Sequence, residues 1–78
     1  MKRVMVVTNN KIYAKRNGSF YDIAVRDTSK KTVSKNKTCR IIYDGNALKV
    51  VDSDFDTART TKMLGLVERN MKFVKRVL

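Results

Sequence analysis

Residues 11–26 read KIYAKRNGSFYDIAVR, and this stretch decides the fold. Two runs of alternating character flank Asn17-Gly18, a pair in which both residues tolerate the positive φ that a type I′ hairpin turn requires. In the first run Ile12 and Ala14 share one side, while Lys11, Tyr13 and Lys15 share the other. In the second, Tyr21, Ile23 and Val25 oppose Phe20, Asp22, Ala24 and Arg26. A period of two on both sides of a tight turn predicts two antiparallel strands, each with one buried face. Periodicity does not say which face a helix would cover.

Working outward, Val4 to Thr8 is a nearly continuous apolar run ended by Asn9-Asn10, which predicts a strand covered on both faces near the sheet centre. Cys39 to Tyr43 predicts a fourth strand, Asp44-Gly45-Asn46 a turn, and Leu48 to Val51 a short fifth strand. From Ser53 the period changes. Leu64, Val67, Met71, Val74 and Leu78 recur at helical spacing, and Met63, Leu66, Phe73 and Val77 widen the stripe as a helix lying across a sheet requires. Ser53 with Asp56 marks the expected start, and Asp52, Asp54 and Asp56 suit the positive end of the helix dipole. The expectation is one α+β domain over 1–78: a small antiparallel meander of four to five strands in 1–51, packed by one C-terminal amphipathic helix over about 54–78.

Charge narrows the function. Eighteen Lys and Arg stand against seven Asp and Glu, a formal net charge of +11. Self-repulsion at that level destabilises a small compact state, so a polyanion is the expected neutralising partner. The single cysteine, Cys39, excludes an internal disulfide, and with no histidine there is no ligand set for zinc. The usual nucleophile and base arrangements also need a histidine, so neither catalysis nor a cofactor is expected. Asp52, Asp54 and Asp56 have calcium-loop spacing, but Thr57 and Met63 stand where that loop needs glycine and glutamate. The run Val4-Met5-Val6-Val7 is too short for a signal segment, and no stretch approaches a membrane span. A reducing cytoplasm is the expected location.

The cations concentrate in three places. Opposite the helix seam lie Lys62, Arg69, Lys72, Lys75 and Arg76, with Glu68 as the one acid. The connection 27–37 carries Lys30, Lys31, Lys35 and Lys37, and is longer than a hairpin needs. On the second strand Tyr13 lies between Lys11 and Lys15, with Arg16 beside them, a ring among cations on which an unpaired base could stack. Phe20, Phe55 and Phe73 are expected in the core, and Tyr21 and Tyr43 at the buried sheet face. These thirteen basic and aromatic positions make RNA a better expected ligand than DNA.

No ribonucleoprotein consensus, KH glycine loop or zinc pair is present. In its shortness and its richness in Lys and Asn, the chain resembles the small basic accessory proteins of T-even-type bacteriophages, including TifA-type inhibitors of toxin–antitoxin ribonucleases. That resemblance implies host takeover or counter-defence, with a host protein such as a nuclease as a second partner in the host cytoplasm. The alternative is a direct protein inhibitor that docks its basic surface on an acidic host protein without nucleic acid.

Overall fold

The computed structural model describes residues 1–28 and 37–78. Five strands, β1 (Lys2–Val7), β2 (Asn10–Asn17), β3 (Phe20–Asp27), β4 (Thr38–Tyr43) and β5 (Leu48–Ser53), precede one helix, α1 (Thr57–Val77). The strands form one antiparallel sheet in the order β1-β2-β3-β4-β5, a meander in which each strand pairs with its sequence neighbour. The expected fold class is therefore the observed one.

The helix covers the face that carries Ile12, Ala14, Ile23, Val25, Cys39 and Ile41. Met63, Val67, Met71 and Val74 come down onto it, and together these ten residues form the core. Their spacing along α1, four, four and three apart, is why one stripe of the helix meets the sheet along its length. Tyr21 and Tyr43 lie half-buried at one end of this face, with ring centroids 6.1 Å apart and ring planes tilted by 52°. The one buried acid, Asp27, takes an ion pair from Arg59 Nη2 at 2.5 Å, and Arg59 also lies over the Phe55 ring at 5.4 Å. This joins the end of β3 to the first turn of α1.

Four expectations need correction. First, β1 is an edge strand rather than a central one. Its Val6 is 52% exposed, because alternation turns that side chain to the uncovered face of the sheet. Second, the β2–β3 turn is centred on Gly18-Ser19, since Asn17 pairs with Phe20. Gly18 has φ +66 and Ser19 does not have a positive φ, which fits a type II′ turn with glycine first. Third, Asp56 and not Ser53 caps α1, its side chain accepting from Arg59 N at 2.8 Å. Ser53 ends β5 instead, and its Oγ lies 2.7 Å from Thr60 Oγ1 while accepting from Phe55 N. Fourth, Phe20 and Phe73 are 45% and 41% exposed and are not core.

Both edge strands carry a bulge. In β1 the register against β2 slips between Arg3 and Met5, leaving Val4 as the extra residue. In β5 the slip against β4 leaves Val51 as the extra residue. Elsewhere Asp44 closes the β4–β5 turn by accepting from Asn46 N and Ala47 N, both at 2.9 Å. Those two hydrogen bonds, Ala47 first, hold its carboxyl below the usual carboxylate range.

The β1–β2 turn has a local cost. Thr8 adopts φ 55, a left-handed conformation that crowds a β-branched side chain. Thr8→Gly is expected to relieve that strain by more than glycine's added chain entropy, stabilising the fold by about 0.5–1 kcal/mol. A urea melt showing an equal or lower midpoint for the variant would refute this account of the turn.

Candidate nucleic-acid interface

Among the described residues, no element covers the side of the sheet turned away from α1. Strand alternation and register bring onto it Arg3 from β1, Lys11, Tyr13 and Lys15 from β2, Phe20, Asp22, Ala24 and Arg26 from β3, Arg40 and Ile42 from β4, and Lys49 and Asp52 from β5. Every strand thus contributes at least one cation. Against these six stand Asp22 and Asp52, and among the described residues no salt bridge engages any of the six.

One row crosses all five strands as Arg3, Tyr13, Ala24, Arg40 and Asp52, consecutive cross-strand partners throughout. Neighbouring strands lie about 4.8 Å apart, so the row is roughly 19 Å wide. Ala24 forms its floor at 7% exposure, with the half-buried Tyr13 on one side and exposed Arg40 on the other. The Arg26 guanidinium carbon lies 6.0 Å from the centroid of the Tyr13 ring. At the Arg40–Asp52 end of this row a groove of about 360 Å³ is lined in part by Met1, Asp22, Arg40, Ile42, Val51 and Asp52, with Ile23 and Ile41 also on its wall. That volume is at the small end of ligand pockets.

Lys11 and Arg26 face each other directly across β2 and β3. Like charges in that relation destabilise a sheet, and the contact of Arg26 with the Tyr13 ring offsets part of that cost. An anion lying over the face removes the repulsion.

The sequence-derived candidates divide among several locations. Lys11, Tyr13 and Lys15 all lie on the open face. Arg16 does not join them: it alternates to the other side, and its Nε donates to the Gly18 carbonyl at 3.2 Å. Lys62, Arg69, Lys72 and Arg76 are exposed on α1. Lys75 departs from that group. It lies on the flank of α1, donating to the Tyr43 hydroxyl at 2.9 Å with its ammonium 4.6 Å from the ring centroid. Lys37 is exposed ahead of β4, and Lys30, Lys31 and Lys35 lie outside the described residues.

Arg3, Arg26, Arg40, Lys49 and Phe20 were missing from the sequence-derived set. A signal for Arg26 existed. A two-residue loop pairs odd positions of β2 with even positions of β3 whether it is centred on Asn17-Gly18 or on Gly18-Ser19. The grouping of Lys11, Tyr13 and Lys15 with Phe20 and Arg26 follows from either placement.

Other chemistry is sparse. The Cys39 thiol is fully buried, and burial raises its pKa more than the Ser53 hydrogen bond lowers it, with the Asp52 charge raising it further. It is not set up as a nucleophile. Among the described residues no group of three or more His, Cys, Asp or Glu side chains could hold a metal ion, and no helix is long and apolar enough to cross a membrane. Comparisons with family models, curated proteins and solved structures find no match for this chain.

Proposed function

We propose that this protein is a non-catalytic, cytoplasmic RNA-binding protein, with the open sheet face as its principal binding surface. The observation that carries the reading is that face: six cations from five strands share it with Tyr13, without ion-pair partners among the described residues. Cations at this density track a phosphate backbone, and an accessible ring stacks a base at about 1–3 kcal/mol. Phe20, 45% exposed at the start of β3, is a second ring on the same side. Unpaired bases are available in RNA loops and ends, which favours RNA over duplex DNA.

The biological role of this binding is read as phage-type counter-defence, in which the protein inhibits a host nuclease in an RNA-dependent manner. That part rests on the resemblance in size and composition.

Titration of a labelled single-stranded RNA at several salt concentrations tests the binding. Neutralising six phosphates on a single strand predicts a slope of log affinity against log salt of about −4. A flat dependence, or no binding at low salt, overturns the proposal. Ribonuclease treatment separates it from direct docking on an acidic protein, since a partner retained after digestion does not need RNA.

A further inference from the structure

The open sheet face and the outer side of α1 are the two outermost surfaces of a two-layer molecule, and they point in opposite directions. Val67, Met71 and Val74 are buried against the sheet. At about 100° per residue, Lys62, Arg69, Lys72 and Arg76 fall on the side of α1 away from them. All four are exposed. Phe73, 41% exposed, lies four residues after Arg69 and three before Arg76, positions that are neighbours on a helix surface. The outer helix thus repeats in helical spacing what β2 presents in strand spacing, a ring between two cations.

The shortest extent of the Cα framework is 19 Å, more than twice the Debye length of about 8 Å at physiological ionic strength. An RNA bound over one face therefore leaves the charge of the other uncompensated. The boundary between the faces is also interrupted on the β5 side, where Val51 is 66% exposed and Asp52, Asp54 and Asp56 follow it, all exposed.

We infer that each molecule holds two RNA segments at once, one on the open sheet face and one on the outer side of α1. The inference rests on the RNA-binding reading above and adds to it a bridging activity, in which the protein ties two segments together across its own thickness.

Short oligonucleotides test this directly. A strand of roughly six nucleotides lies within the site sizes of stacking platforms, so one hexamer is enough to fill one face. A single strand that rounded an edge to touch both faces would give one hexamer per protein, not two. Native mass spectrometry and calorimetry of the full chain with a single-stranded hexamer should find two bound per protein. Arg69→Glu with Arg76→Glu should reduce the count to one, and so should Lys11→Glu with Tyr13→Ala. Donor- and acceptor-labelled hexamers should show energy transfer with the parent and lose it in either variant, and thermal melts confirm that each variant is folded. One hexamer on the parent, unaffected by the helix substitutions, overturns the two-segment inference while leaving the sheet-face reading intact. No hexamer bound overturns both.

Discussion

Val67→Asp is expected to abolish the cooperative thermal transition of this protein. Val67 is fully buried at the middle of the α1 stripe, within the cluster that includes Ile12, Ile23, Val25 and Ile41. An aspartate there brings a carboxylate into an apolar core, at a cost of several kcal/mol even after the group neutralises itself. A chain of this size buries only about 60% of its unfolded surface, so its stability belongs near the low end of the usual range of about 5–15 kcal/mol. Such a core cannot absorb that loss. The matched control is Val51→Asp, since Val51 is 66% exposed on the bulge of β5, and surface changes usually stay within about 0.5 kcal/mol. Loss of the transition in the first variant and its retention in the second, followed by circular dichroism, is the expected pattern. A normal melt for Val67→Asp would mean that α1 does not close the core.

The second large effect concerns binding. Lys11→Glu combined with Tyr13→Ala should weaken RNA binding at the open sheet face by about 100-fold or more, because the stacked ring alone is worth about 1–3 kcal/mol and a reversed charge adds repulsion. Lys11→Glu by itself separates function from folding. It converts the repulsive pair with Arg26 into an opposite-charge pair, so the melting temperature should rise, by the equivalent of about 0.2–1 kcal/mol, while RNA affinity falls. Fluorescence anisotropy and a thermal melt on the same preparation give both signs. Unchanged affinity in the double substitution would remove the sheet face from the binding surface.

Most of the architecture was legible because patterns of period two and period 3.6 are written plainly into residues 11–26 and 63–78. What misled the reading was local. The run Val4-Met5-Val6-Val7 looks like a central strand because every position is apolar, yet Val6 turns outward on an edge strand. Hydrophobicity alone does not distinguish an edge from a centre when a valine on an edge strand faces away from the helix. Ser53 and Asp56 both fit a helix cap, and the choice depended on where β5 ended, which the pairing of Cys39 with Ser53 fixes. Phe20 is expected in the core by residue type although its period sets it opposite Ile23 and Val25, and Phe73, at the margin of the widened helix stripe, is 41% exposed.

The site was only partly legible for a related reason. Cations adjacent in sequence, such as those of β2 and α1, are visible as clusters. Arg3, Arg26, Arg40 and Lys49 come together only through the register of four successive strand pairings. That register depends on two bulges that no alternation rule announces.

On the proposed function, those bulges matter most when RNA is bound. In the free protein, a charge of +11 keeps copies apart. Once a polyanion cancels that charge, long-range repulsion no longer protects the two unpaired sheet edges, and RNA gathers the molecules at high local concentration. An interrupted edge then takes over the protective role, because an incoming strand cannot zip past Val4 or Val51 in continuous register. Crowded onto its ligand, the protein is expected to resist growth into fibres.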